Sequence, residues 1–378
     1  MNQVMLSPGP VYLRHSVLEK AHSAHHRTDS FRKLIVEIER MVREVLGTES
    51  PVYVITASGT GVMETAAVNV TRPGSRVLVI SGGKFGRRWE EIFDVYNCRV
   101  ESLRFEPGKK FDIPAMLEKI ERVNPECVAV THVESSTGTL FPLREFSTAL
   151  SGKGPILLVD AIASLGVEDI RMDEWGIDIV VSAGQKAFAS PAGVGTLSLS
   201  KRAMKLAEEC GRPLYYFSLP RYERGRKNGD TPFTPAIQSV QMLHYSLSVQ
   251  EDYGWSEMKR RHRESSRAIN SAYRHLNLIN ISEYPSSAVQ AVLMPGGLDS
   301  RKFVEILAER YNIIVAGGQE ELKGRIIRTG FTGLCSWERL DYAVRKIGEL
   351  LASEGVAVDV GAASDELLAV EGQKDIFS

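Results

Sequence analysis

The stretch Val52-Tyr-Val-Ile-Thr-Ala-Ser-Gly-Thr-Gly-Val-Met-Glu64 passes from an apolar, β-branched run through a turn of small residues into the start of a helix. Working outward, the same change of texture recurs. Residues 76–80, 128–132, 156–160, 177–182 and 195–199 are further strand candidates, alternating with helix-like segments. Short apolar runs separated by helical patterns predict a mostly parallel sheet covered by helices on both faces. Ahead of it, Phe31, Leu34, Ile35, Ile38, Met41, Val42 and Val45 follow helical spacing, which predicts one long amphipathic helix.

Beyond residue 199 the texture changes again. Residues 201–274 read largely as helix, interrupted by the polar, Pro-bearing stretch 221–235, which is expected to be an exposed loop. A second unit starts near Ile279, with strand candidates at 288–294, 313–316 and 325–329 and helices at 300–310 and 336–351. The chain is therefore expected to be α/β: a large domain built on a mostly parallel sheet, plus a small C-terminal α+β domain. The expected divisions are an N-terminal segment 1–20, a large domain with a helical connector 21–278, a small domain 279–352 and a tail 353–378. That tail is acidic, with Glu354, Asp359, Asp365, Glu366, Glu371 and Asp375 against Lys374, and is expected to be loosely held, with one short helix around 365–370.

A chain of 378 residues can bury a sizeable core, and its formal net charge of -1 gives no general attraction to nucleic acid or anionic membranes. Any anion it binds must be caught locally. Cys98, Cys127, Cys210 and Cys335 are far apart in sequence with no C-x-x-C pair, which points away from a metal knuckle or disulfide framework and fits a reducing compartment. Cys127 reads as a core residue. The N-terminus has no charged segment followed by an apolar one, and no apolar run approaches a membrane span, so a cytoplasmic location is the default expectation.

In an open α/β sheet, ligands sit beyond the carboxyl ends of the strands. Ser58, Gly59 and Thr60 follow the first strand run and open a helix, where free N–H groups and hydroxyls could cup a phosphate; the same residues serve equally as a plain helix cap. Asp160 ends the run Ile156-Leu-Leu-Val-Asp160, and a carboxylate there must be paired or well hydrogen-bonded, or else caps the turn that follows. Lys186, in Val181-Ser-Ala-Gly-Gln-Lys186, is either an ordinary solvated loop Lys or one whose pKa is lowered among small apolar residues, the condition for forming a Schiff base. An anion cup, a strand-end acid and a loop Lys are together what pyridoxal 5′-phosphate requires. His132-Val-Glu-Ser-Ser-Thr-Gly138 adds hydroxyls that could reach the cofactor's phenolic oxygen, or is a polar strand-to-loop turn. Phe85, in Gly82-Gly-Lys-Phe-Gly-Arg-Arg-Trp89, could stack on a pyridine ring, whereas Trp89 falls within the following helix.

With these residues in order, the sequence resembles the class V aminotransferases among the fold-type I pyridoxal-phosphate enzymes, in particular the alanine–glyoxylate and serine–pyruvate aminotransferase group. The resemblance runs from Leu6-Ser-Pro-Gly-Pro10 to about residue 351 and is carried by Glu134-Ser-Ser-Thr-Gly138, Leu158-Val-Asp-Ala-Ile-Ala-Ser-Leu-Gly166 and Ser182-Ala-Gly-Gln-Lys186. It implies that Lys186 forms the Schiff base and carries the proton, that Asp160 keeps the pyridine nitrogen protonated, and that Ser136 bonds the phenolic oxygen. It places Ser58, Gly59, Thr60 and Gln185 on the phosphate, with Thr234 reaching it from a partner subunit, and hence implies a homodimer with shared active sites. Arg328, in Arg325-Ile-Ile-Arg-Thr-Gly330, matches the Arg that forks onto the substrate carboxylate, a planar task that Lys performs poorly. The implied substrates are a small amino acid, alanine or serine first, and a 2-oxo acid such as glyoxylate or pyruvate, exchanged by a ping-pong mechanism. Two positions depart from the pattern: Phe85 stands where relatives often have Trp or Tyr, and Thr60 where some have His. His26 and Arg27 belong to a segment that borders the active-site mouth in relatives, and either contact a substrate side chain or form a solvated turn. A lyase of the cysteine desulfurase type would carry a His before the Lys and a mobile Cys ahead of the Arg. Here Gln185 precedes Lys186, no Cys lies between Ile279 and Arg328, and Cys335 comes after it. A non-catalytic subunit on the same scaffold is the other alternative, against which Lys186, Asp160 and Arg328 together speak.

Overall fold

The large sheet has seven strands: β1 (Val52–Ile55), β2 (Arg76–Ser81), β3 (Arg99–Arg104), β4 (Cys127–Thr131), β5 (Ile156–Asp160), β6 (Ile179–Ala183) and β7 (Gly195–Leu199), in the spatial order β1-β7-β6-β5-β4-β2-β3. In this computed structural model, which describes residues 3–150, 154–332 and 336–370, the neighbours from β6 to β3 run parallel. Only β7 is antiparallel, to both β1 and β6. The strands β1 and β4 to β7 are buried along their whole length. That is why they read as continuous apolar runs rather than alternating ones.

Helices cover both faces. The helix α1 (Asp29–Leu46) starts at Thr28, whose side chain accepts a hydrogen bond from Phe31 N, and ends at Gly47 in the left-handed region, φ 59°. Its apolar face buries Phe31, Ile35, Ile38, Met41, Val42 and Val45 against one side of the sheet. Complete burial of a side chain such as Ile38 is worth about 1.5–3 kcal/mol. The other side is covered by α2 (Gly59–Val70) and α3 (Lys84–Val95), which pack Val62, Met63, Ala66, Trp89 and Phe93 onto it.

The small domain has an antiparallel sheet in the order Ile279–Asn280, Val289–Leu293, Ile326–Gly330, Ala316–Gly317, with helices Ser300–Tyr311 and Trp337–Ser353. Its core also takes in Ala268, Ile269, Ala272 and Tyr273 from the end of the long helix Trp255–His275. The N-terminal strand Val4–Met5 pairs in parallel with Ile313–Ile314 of this domain. No helix among the described residues is long and apolar enough to cross a membrane.

Two expectations need correction. The stretch 221–235 is not all exposed loop: Leu219–Arg226 is a helix that begins with Pro220, a residue favoured in a first turn, and buries Leu219 and Tyr222. Its Arg226 pairs with Glu223 one turn earlier and with Glu39 of α1. The acidic end is not loose over its whole length either. The helix Val360–Leu368, capped by the Asp359 side chain, buries Ala363 and Leu367 in the small-domain core, while Glu371, Lys374 and Asp375, like Cys335, lie outside the described residues. The dispersed cysteines converge in space. The thiols of Cys127, Cys210 and Cys98 approach the consecutive carbonyls of Val70, Thr71 and Arg72 at the end of α2, at 3.8, 3.1 and 3.9 Å.

Candidate active site

Strand register sets the site. Thr131 stands opposite Asp160, and Asp160 opposite Val181, so the ends of β4, β5 and β6 lie side by side. Asp160 is buried, its Oδ1 accepting from Ile162 N at 2.8 Å and its Oδ2 lying 3.4 Å from the Thr131 hydroxyl. Burial pushes its pKa up to about 6, partly opposed by the Ile162 amide. No cation lies within ion-pair distance of it among the described residues.

Lys186 follows β6 in a tight loop, in which Ala189 adopts φ 46° and returns its N–H to the Lys186 carbonyl. Its ammonium donates to the Pro8 carbonyl at 2.6 Å. Gly9 packs directly against the end of the Lys186 side chain, and its φ of 127° is a conformation that favours Gly. Desolvation pushes the Lys186 pKa down to about 8, the attraction of Asp160 opposing it and the charges of Arg328 and Arg88 adding to it.

The segment Ser7–Pro10 is held on its other side by the small domain, since Gly330 N donates to Leu6 O at 2.7 Å. Arg328 of that same strand is 5% exposed and spans the two domains: its Nε donates to Gly317 O at 2.9 Å and its Nη1 to Ser135 O at 2.8 Å. Its Nη2 has no partner among the described residues, which leaves one edge of the fork for a ligand. Burial lowers its pKa to about 10, so it stays cationic at neutral pH.

Glu134, of the Glu134-Ser-Ser-Thr-Gly138 motif, has no role that its sequence signals, and it organises the wall opposite. This buried carboxylate accepts from Phe85 N at 3.2 Å and Gly86 N at 2.8 Å, satisfying the free amides that open α3, and from the Ser136 hydroxyl at 2.5 Å. Phe85 is thereby fixed at the helix start, half-buried. The Ser136 hydroxyl also accepts from Lys84 N, so its hydrogen goes to Glu134 here, and a bond to a phenolic oxygen would require it to turn. At the start of α2, Ser58 accepts from Gly61 N at 3.4 Å and is therefore a cap, as the plainer reading has it, while Ser58 and Thr60 remain exposed at the mouth of the turn. Gly59 packs on Ile162, two residues beyond Asp160, and Gln185 keeps one amide atom buried without a partner beside Lys186.

Two further expected groups have other surroundings. Thr234 is exposed, and Arg27 ties down Asp230 at 2.6 Å and the Thr231 carbonyl at 3.3 Å instead of meeting Lys186 or Arg328. Burial lowers the His26 pKa, and its ring stacks on His25. A separate cleft of about 790 Å³ lined by Phe111, His132, Phe141, Trp175 and Arg263 contains none of these residues. The convergence of a depressed amine, a raised carboxyl and a buried guanidinium outweighs volume.

The depressed amine gives a measurable expectation. Only an unprotonated amine attacks a carbonyl, so reductive methylation of Lys186 by formaldehyde should reach half its full rate near pH 8. Mass spectrometry of exposed lysines in the same digest should show rates still climbing well above that pH. A Lys186 profile that coincides with theirs would contradict the assigned environment.

Residues 2–332 match the profile of the family described as Aminotransferase class-V. Among curated proteins, the chain is 32% identical over 341 residues to the soluble hydrogenase 42 kDa subunit of Anabaena cylindrica, covering 88% of this chain and 89% of that one. It is 29% identical to the alanine–glyoxylate aminotransferase of Rattus norvegicus, covering 92% and 87%. Among solved structures, ureidoglycine–glyoxylate aminotransferase from Bacillus subtilis superposes with a TM-score of 0.92 at 26% identity, covering 98% of both chains.

Proposed function

The chain belongs to the class-V aminotransferase family and is a pyridoxal 5′-phosphate-dependent transaminase, and from that premise we propose that it moves the amino group of a small amino acid, alanine or serine first, to glyoxylate or pyruvate. The donor leaves as its 2-oxo acid before the acceptor enters. The observation that carries this reading is a depressed amine, Lys186 on the Pro8 carbonyl, together with the half-free guanidinium fork of Arg328, held by the Gly317 and Ser135 carbonyls on a strand whose Gly330 N–H binds Leu6 O just ahead of Pro8.

The residues present fit the cofactor. Asp160 is a buried acid with no cation at ion-pair distance among the described residues, suited to a protonated pyridine nitrogen; Phe85 offers a ring face; Ser58, Gly59 and Thr60 offer donors for a phosphate, and Gln185 stands beside them. When bound, pyridoxal 5′-phosphate supplies an aldehyde that exchanges for an amino group and a ring that disperses the charge left at Cα. The chain supplies the rest. Arg328 orients the substrate carboxylate, which sets the Cα–H direction; Lys186, near half-protonated around pH 8, takes that proton and returns it; the Ser7–Pro10 strap and the small domain exclude water from one side.

The active form is a homodimer with shared sites. Supporting this, Thr234 is exposed beside Phe233, which stacks on Tyr216 at 5.1 Å, and Tyr215 and Tyr216 are 68% and 37% exposed, an aromatic surface suited to a second copy of the chain. Thr234 would then reach the partner's phosphate, and an active monomer in sedimentation would contradict this. The convergent thiols fit a reducing, cytoplasmic setting. The name of the Anabaena cylindrica relative would favour a subunit without chemistry, but such a subunit has no use for a desolvated Lys beside a free guanidinium edge.

A screen of amino acids against glyoxylate, pyruvate and 2-oxoglutarate tests the reading. Parallel double-reciprocal lines with alanine or serine as donor are expected. Release of ammonia or sulfur without any acceptor would overturn it in favour of the lyase.

A further inference from the structure

The phosphate cup has a deficit of charge. Ser58, Gly59, Thr60, Gln185 and Thr234 are all neutral donors, and a helix N-terminus supplies the equivalent of only about half a positive charge. A phosphate monoester near neutral pH carries about 1.5 to 2 negative charges. One full cation stands at the rim. Arg88 lies one turn after Phe85 on α3, its guanidinium 4.8 Å from the Phe85 ring centroid, and its Nη1 donates to the Thr60 hydroxyl at 3.1 Å. Its neighbour Arg87 turns the other way, to Glu320 and Glu321 of the small domain. No carboxylate lies within ion-pair distance of Arg88 among the described residues, and Thr60 uses one of its five donors.

Resting on the cofactor reading above, we propose that Arg88 is a phosphate ligand of the cofactor, its fork closing over Thr60 onto the oxygens that the α2 amides hold from below. An Arg suits this better than a Lys, because two parallel N–H donors match two phosphate oxygens and because its guanidinium lies over the Phe85 ring. The same contact links the ring-stacking residue to the cup. Its charge is also felt at Lys186 and Asp160, which places it near the reacting groups.

Binding to the apoprotein separates this from a structural role. Wild type, Arg88→Met and Arg88→Lys are titrated with pyridoxal 5′-phosphate and with pyridoxal, which lacks the phosphate, reading the quenching of Trp fluorescence. Arg88→Met is expected to weaken pyridoxal 5′-phosphate about ten- to a hundred-fold, the scale of a lost charge-assisted pair, and to leave pyridoxal unchanged. Arg88→Lys should recover part of the loss, and inorganic phosphate should compete less well in Arg88→Met than in wild type. Unchanged pyridoxal binding also reports that the variant site is folded. Equal losses for both aldehydes, or no loss for either, would overturn the Arg88 assignment alone. A wild-type apoprotein that binds neither would overturn the cofactor reading and this proposal with it.

Discussion

Lys186→Ala is expected to leave a folded protein that has lost transamination in both directions, by at least about a thousand-fold, because a positioned acid–base group contributes about 10²–10⁴-fold and the proposed role of this one includes anchoring the cofactor. Folding should survive. The ammonium contributes one hydrogen bond, to Pro8, and its removal relieves desolvation of a cation that burial has already weakened. Both half-reactions should fail together, measured separately as oxo-acid formation from alanine and amino-acid formation from glyoxylate with the amino form of the cofactor. If only one failed, the proton would have a second carrier.

The second large effect concerns Arg328, which tests whether the small domain belongs to the site at all. Arg328→Lys keeps the charge and loses the fork. Two donors already bind the Gly317 and Ser135 carbonyls, so a Lys must abandon either that bridge or the substrate. The expected loss is about 2–4 kcal/mol of transition-state stabilisation, roughly thirty- to a thousand-fold in kcat/KM for amino acids. A simple amine without a carboxylate should be much less affected, which also controls for any loosening of the bridge. Equal losses for both would make Arg328 a structural residue, and the carboxylate would have to be held elsewhere.

Much of the site was legible because each of its strand-end residues breaks an apolar run. Asp160 after Ile156-Leu-Leu-Val, and Lys186 after a buried strand, stand out since a charge there has a cost that must be met. The strand β3 was not legible. At the sheet edge, with one neighbour and partial exposure, Arg99-Val-Glu-Ser-Leu-Arg104 is mostly polar, with only Val100 and Leu103 apolar, and carries no continuous run. The antiparallel direction of β7 has no local signal either, because an apolar run reads the same both ways. The groups the sequence reading left without a task act across distance. Glu134 meets α3 from about fifty positions away, Gly9 packs at positive φ against the Lys186 side chain, and Arg88 gains its meaning only once Thr60 lies beside it. The helix at 219–226 was obscured by its Pro and its charges, which a loop and a first helical turn share.

The central claim is that Lys186 is the residue joined to the cofactor, and chemical fixation tests it most directly. The purified protein, loaded with pyridoxal 5′-phosphate, is reduced with borohydride, digested and mapped by mass spectrometry. The mass of the reduced cofactor is expected on the peptide that contains Gln185 and Lys186, and nowhere else in stoichiometric amount. A stoichiometric adduct on any other lysine, with the Lys186 peptide unmodified, would contradict the account.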